Sequence, residues 1–130
     1  MTVKIQKLRT SKQMREVMGA AMFTLVEATI FSKMRNMSKE YTGGSWQFAS
    51  VNGVPFMYPK MEEKEVTLIN SMNYFEGAVC PEAAGFAICT LAYNHIAHDH
   101  QHEKLADLWE KMMDNVGEMK NASEIYGFLD

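Results

Sequence analysis

Ser45-Trp46-Gln47-Phe48-Ala49-Ser50-Val51-Asn52-Gly53-Val54-Pro55-Phe56-Met57-Tyr58 is the stretch that decides how this chain folds. Its first half alternates polar and apolar residues, the period of a half-buried strand. Asn52-Gly53 then separates two strand-like runs, and a type I′ turn needs positive φ at both central residues, which these two tolerate. The return strand, Val54 to Tyr58, contains Pro55, which has no N–H for a ladder. That strand is predicted at a sheet edge or with its proline at a non-bonding position. A third run, Glu65 to Asn70, sets Val66, Leu68 and Asn70 on one face and Thr67 and Ile69 on the other. The reading is a small antiparallel meander of three strands, with Tyr74 to Val79 available to extend it to four.

Helical periods flank this sheet. Thr10 with Gln13 has the spacing of a capping box, and Met14, Val17, Met18, Ala21, Met22, Leu25 and Ala28 follow at helical intervals. One long helix over 11–35 is predicted. Downstream, Cys80-Pro81-Glu82 opens another helix, with proline at a first helical position and glutamate where the helix dipole favours it. From Ala83 to Asn94 this segment carries no formal charge, so a helix running to about Ala97 is expected to be buried on most sides. It is read as the central helix, with the sheet on one flank and helices on the other. A third helix over 101–119 has Leu105, Leu108, Trp109, Met112, Val116 and Met119 on one face, and Asp107 and Lys111 are spaced for an i,i+4 pair. A short helix over 121–129 would dock Ile125, Phe128 and Leu129. The fold class expected is α+β: a small meander packed on a buried central helix, with N- and C-terminal helices beside it, in one domain over 1–130.

The chain has 130 residues, 47% of them hydrophobic and 22% charged, a globular balance with one core. Twelve methionines, 7 Phe, 5 Tyr and 2 Trp predict an interior filled with thioethers and flat rings. The net charge of −3 offers no basic patch for nucleic acid. Lys4, Lys7, Arg9, Lys12 and Arg15 make the start locally basic, which reads as a solvated segment. Cys80 and Cys89 are nine apart across the start of a helix, where a disulfide would need distorted geometry. Free thiols and a reducing cytoplasm fit better. Met18 to Phe31 is interrupted by Glu27 and too short for a bilayer, and no secretory leader is visible, so no membrane partner is expected.

Few side chains are arranged for chemistry. His95, His98, Asp99, His100 and His102 form the most suggestive cluster, because imidazoles three apart can meet on one helical face and chelate zinc or nickel. His95 is expected to face the core, and the others to lie at the frayed helix end and the following connection. The reading is a solvated histidine-rich loop that titrates near neutral pH, with no cofactor. Cys80 at a helix N-terminus has the place of an activated thiolate, but no base or orienting group is identified for it. Neither GxGxxG nor GxxxxGK[ST] occurs. Trp46, Phe48, Phe56, Tyr58, Tyr74 and Phe75 gather around the sheet, yet a base-stacking platform needs interleaved cations. Between Glu40 and Ile96 the only basic residues are Lys60 and Lys64. These aromatics are read as core, and direct DNA binding is not expected.

Four ordered segments carry a resemblance. Tyr41-Thr42-Gly43-Gly44-Ser45-Trp46-Gln47-Phe48 and Val54-Pro55-Phe56-Met57-Tyr58-Pro59 resemble the Y-x-G-G-x-W-x-F and G-x-F-Y-M-A-P signatures of the ArdB/KlcA-type antirestriction family. Asn73-Tyr74-Phe75-Glu76-Gly77 and Pro81-Glu82-Ala83-Ala84-Gly85 resemble its N-x-F-x-G and S-x-D/E-A-A-G segments. The likeness is close over 41–95. Tyr58 stands where the family usually has alanine, Cys80 replaces a common serine cap, and the histidine cluster is outside the pattern. The resemblance implies a non-enzymatic inhibitor that protects incoming mobile-element DNA from type I restriction endonucleases. Its implied partner is the host restriction–modification complex or an associated factor.

Charge tests one mechanism for such a protein. A mimic of B-DNA must reproduce one negative charge per ~1.7 Å of axis, so a domain ~35 Å long needs on the order of 20 carboxylates on one face. With a net charge of −3, phosphate mimicry of that kind is not expected. Contact through shape and apolar surface, or indirect action on the restriction pathway, is expected instead, and the candidate contact residues are the exposed members among Tyr41, Trp46, Asn73, Glu76 and Glu82. Each also has a structural reading, Trp46 in the core and Glu82 as a dipole partner. Two alternatives are an enzyme using the histidine cluster or Cys80, and an inhibitor of a different defence system on the same scaffold.

Overall fold

The computed structural model describes residues 5–130, so Lys4 lies outside the described residues. Strand β1 (Ile5–Leu8) is followed by helices α1 (Lys12–Met18) and α2 (Ala20–Met37), then by strands β2 (Trp46–Val51), β3 (Val54–Pro59), β4 (Val66–Asn70) and β5 (Phe75–Val79). Helices α3 (Pro81–His100) and α4 (Glu103–Asn115), a 3₁₀ turn over Val116–Glu118 and helix α5 (Ala122–Leu129) complete an α+β fold. The β2–β3 hairpin has the register predicted, Val51 opposite Val54 and Trp46 opposite Pro59. Asn52 and Gly53 sit at φ 48° and 82°, as a type I′ turn demands.

The single meander does not form. The chain makes two antiparallel sheets, β1-β2-β3 and β4-β5. The outer edge of β3 explains the split, because its polar groups are already taken by α3. Tyr93 donates its hydroxyl proton to the Pro55 carbonyl at 2.8 Å, and the Cys89 thiol donates to the Met57 carbonyl at 3.3 Å and accepts from the Met57 N–H at 3.5 Å. With prolines at 55 and 59 and a side-chain partner at 57, no ladder remains for β4 to join. Burial pushes the Cys89 thiol up to about 12, so it serves as an uncharged hydrogen-bonding plug.

Strand β1 is absent from the sequence reading. It pairs with β2 in the register Ile5 to Val51 and Leu8 to Phe48. Four residues with two polar ones at the centre carry no alternation strong enough to announce a strand. The long first helix is also corrected: it breaks at Gly19, φ 87°, and α1 and α2 meet at 116°. No capping box forms. Ser11 is the N-cap, the Thr10 hydroxyl accepts from Lys12 N–H at 3.2 Å, and the Gln13 amide donates to the Gly53 carbonyl at 2.9 Å, pinning α1 to the hairpin turn. The break resets the apolar stripe. Met14 and Met18 are buried in α1, and Phe23, Val26, Ile30 and Met34 are buried in α2, while Ala21, Leu25 and Ala28 face solvent.

Helix α3 is the centre of the molecule, buried from Ala83 through Tyr93 and packed against β3, α2, α4 and α5. Helix α4 buries Leu105, Leu108 and Met112, and Trp109 is half-buried at its side. The expected Asp107–Lys111 pair does not form; among the described residues the ion pairs are Lys12–Glu16 at 3.7 Å and Lys39–Glu76 at 3.2 Å. Cys80 and Cys89 are free. Among the described residues no single helix is long and apolar enough to cross a membrane.

Candidate interaction surface at the β4–β5 tip

The signature segments first explain themselves as structure. The Trp46 indole N–H donates to the Tyr41 hydroxyl at 2.9 Å, and the two rings meet edge-on at 5.7 Å. Phe31 of α2 lies 5.3 Å from the indole on a tilted plane. Tyr41 is buried and Trp46 half-buried, so this pair closes the loop after α2 onto β2 and is not a free contact surface. Glu82 is half-buried in the first turn of α3. Beside it the Tyr58 hydroxyl is held above its ordinary pKa, by burial first and then by the charges of Glu82 and Cys80. Cys80 caps α3, its sulfur accepting from the Ala83 N–H at 3.4 Å.

Asn73 has a different task. Its amide donates to the carbonyls of Gly127 at 3.1 Å and Phe128 at 3.2 Å, while its side-chain oxygen accepts from the Phe75 N–H at 3.0 Å. Asn70, buried at the end of β4, repeats the arrangement: its amide donates to the Phe128 carbonyl at 2.8 Å and its oxygen accepts from the Met72 N–H at 3.1 Å. Two asparagines thus tie the loop between β4 and β5 to the last turn of α5, satisfying orphan helix carbonyls as they do so. Phe75 packs edge-on against Phe128 at 6.1 Å, over Gly77 and Gly127, where a Cβ would stand 2.6 Å and 2.9 Å from the ring.

This fixed loop presents two large side chains to water. Met72 is 89% exposed and Tyr74 94% exposed, and Tyr74 holds φ 62°, the left-handed region that a tyrosine rarely adopts. Glu76, also exposed, lies on the same hairpin and pairs with Lys39. Of the five residues singled out in the sequence, Asn73 and Glu76 fall on this hairpin; Tyr41, Trp46 and Glu82 lie elsewhere. The exposed Met72 and Tyr74 are not among the five, since exposure leaves no trace in a sequence.

The histidine cluster is dispersed. His95 does not face the core as expected; it is exposed, and Lys33 Nζ donates to its Nδ1 at 2.7 Å. The one-residue offset from buried Ile96 turns it outward. His102 caps α4, its Nδ1 accepting from the Leu105 N–H at 3.2 Å. His98, Asp99 and His100 face solvent, and among the described residues no three His, Cys, Asp or Glu side chains are grouped to hold a metal ion.

His95 supplies a pH prediction. Although His95 reaches solvent, partial desolvation of its ring first, and the Lys33 ammonium next, hold its imidazole below its ordinary pKa against the opposing pull of Asp99. The folded protein binds this proton less readily than the unfolded chain does. The associated stability is present above about pH 6.5 and is lost as pH falls through the folded value. His95→Gln is expected to flatten the fall in melting temperature on acidification, read by circular dichroism. An unchanged profile would place the acid sensitivity elsewhere.

Comparison with known proteins agrees with this architecture. Over 75 residues the chain is 39% identical to YafX of Escherichia coli (strain K12), a match covering 56% of this chain and 49% of YafX. Over 107 residues it is 30% identical to YfjX of the same organism, covering 81% of this chain and 70% of YfjX. The chain thus spans about half of YafX. Both relatives are uncharacterized. A solved structure from work on the KlcA and ArdB proteins, described there as a novel fold with antirestriction activity against Type I DNA restriction systems in vivo but not in vitro, superposes with a TM-score of 0.85. It covers 100% of this chain and 96% of the other at 19% identity, a likeness of fold. The antirestriction protein family matches residues 39–130, which contain both the asparagine-tied tip and the Tyr41–Trp46 closure, and the chain belongs to that family.

Proposed function

We propose that the protein protects mobile-element DNA by inhibiting type I restriction endonuclease activity in the host cell, and that it does so without catalysis, by docking the β4–β5 tip on the restriction complex or an associated factor. The observation that carries this reading is the Met72–Tyr74 pair, held in water on a loop that its own hydrogen bonds make rigid. A large apolar side chain moved from water into a pocket contributes about 1.5–3 kcal/mol. Pre-ordering the loop removes most of the entropy that docking would otherwise cost. Mimicry of B-DNA has no support in a chain of net charge −3. The activity of KlcA and ArdB in vivo but not in vitro favours a target or factor present in the cell and missing from a purified reaction.

Plating of unmodified phage on restricting cells tests this directly. Cells expressing the protein are expected to plate the phage at well above the vector-only efficiency. Equal plating with and without expression rejects the function. The Met72→Ser/Tyr74→Ser variant is expected to lose protection while melting within a few degrees of the wild type, because both side chains are already in solvent. Full protection by that variant rejects the tip as the contact.

A further inference from the structure

Strand β1 changes the charge inventory of the sheet. Counting along the chain, the aromatic strands have almost no cations near them. In the fold, pairing of β1 with β2 carries Lys7 and Arg9 from the N-terminal segment to the end of the sheet where Trp46, Phe48 and Lys60 lie. Lys7, Leu8, Arg9, Trp46, Gln47, Phe48 and Lys60 together line a groove of about 340 Å³. It contains three cations and no carboxylate, in a protein whose net charge is −3. Among the described residues none of the three cations is in an ion pair. Lys12, by contrast, is held by Glu16.

The groove is built, not incidental. The Gln47 amide donates to the Leu8 carbonyl at 2.9 Å and to the Phe48 carbonyl at 2.8 Å, fixing the end of β1 against β2. The Lys60 N–H donates to the Ser45 carbonyl at 2.9 Å, fixing the opposite rim. Lys7 lies on β1 and Arg9 just beyond its end, and both line the groove. The groove's two aromatics are already engaged, Trp46 by Phe31 and Tyr41 and Phe48 by Phe23, which leaves positive charge as the principal recognition chemistry.

We infer that this groove binds single-stranded DNA through its phosphates, without reading sequence. A duplex is read by an element that protrudes into its groove. Here the cations line a concavity at a strand edge and no element protrudes from it, an arrangement suited to the flexible phosphate backbone of a single strand. This site uses β1, β2 and the end of β3, and shares no residue with the β4–β5 tip. Its failure and that of the proposed contact are separately visible, one in DNA binding and the other in phage plating.

Fluorescence anisotropy of the whole protein with a labelled oligothymidine tests it. Three neutralised phosphates predict a slope of about −2 in log affinity against log salt, a loss of roughly 20-fold between 50 and 200 mM. Lys7→Gln/Arg9→Gln/Lys60→Gln is expected to weaken binding at 50 mM salt at least tenfold with an unchanged melting curve. Lys104→Gln/Lys111→Gln/Lys120→Gln, which removes the same charge from elsewhere, is expected to leave binding within twofold. Absence of binding at 50 mM, equal loss in both triple variants, or equal affinity for a duplex of the same length overturns the inference.

Discussion

Gly85→Ala is expected to lower the melting temperature by about 10 °C, or to prevent accumulation of folded protein, because it drives a methyl group into a backbone with nowhere to move. A Cβ at this position would meet the Cα and Cβ of Tyr58 and would stand 2.5 Å from the Met57 carbonyl oxygen. Flexible side chains swing aside at little cost, but these atoms belong to β3. On one side β3 is paired to β2, and on the other it is fixed by Cys89 and Tyr93 of the same helix. Relief requires moving α3 as a body, which opens contacts along the most buried helix in the molecule. Overpacking of this kind costs about 3 kcal/mol. Thermal denaturation by circular dichroism measures it. A variant melting within 2–3 °C of the wild type, a shift of about 1 kcal/mol or less, would show that α3 slides on the sheet. The spacing of Pro81, Ala83, Ala84 and Gly85 then has a plain meaning: small residues let a helix approach a strand at backbone distance.

Removing both amides, as Asn70→Ala/Asn73→Ala, is expected to destabilise the fold by about 3 kcal/mol and to abolish protection in the plating assay. Four backbone groups lose their side-chain partners at once: the Phe128 and Gly127 carbonyls and the N–H groups of Met72 and Phe75. The single variants are expected to sum to less than the double, since each leaves the Phe128 carbonyl one amide donor and only the double removes both. Tyr74 adds a local reason. A tyrosine in the left-handed region costs roughly 1–2 kcal/mol, and it stays there only while its surroundings compel it. Without the asparagines the loop is expected to relax and amide exchange over residues 71–75 to accelerate, as read by hydrogen–deuterium exchange. Unchanged exchange in the double variant would mean that hairpin pairing alone orders the tip. Unchanged protection with fast exchange would mean that the partner does not need a rigid prong.

Much of the fold was legible because its signals are local. The Asn52-Gly53 turn, the alternation of Trp46 to Val51, the apolar run of α3 and the two-faced pattern of Val66 to Asn70 each depend on residues a few positions apart. Errors arose where distant partners intervene. The predicted helix over 11–35 runs through Gly19 without a break, whereas the chain turns there, with α1 packing beside β3 and α2 against α3. Strand β1 is defined by pairing with distant residues, Ile5 with Val51 and Leu8 with Phe48, and its four residues alone carry no preference strong enough to declare it. The site was less legible still. Asn73 stood out through its motif, but its work is structural, and the two side chains it positions are ordinary letters in the sequence.

Period, turn chemistry and charge were determined by the amino-acid sequence alone, because each is a property of neighbours along the chain and of the total composition. From these came the α+β class and the central helix. The tertiary structure alone decided that the strands form two sheets, that Met72 and Tyr74 face water, and that Lys7, Arg9 and Lys60 share one groove. Exposure and long-range proximity are set by what packs against a residue once the chain has folded, and no local pattern encodes them.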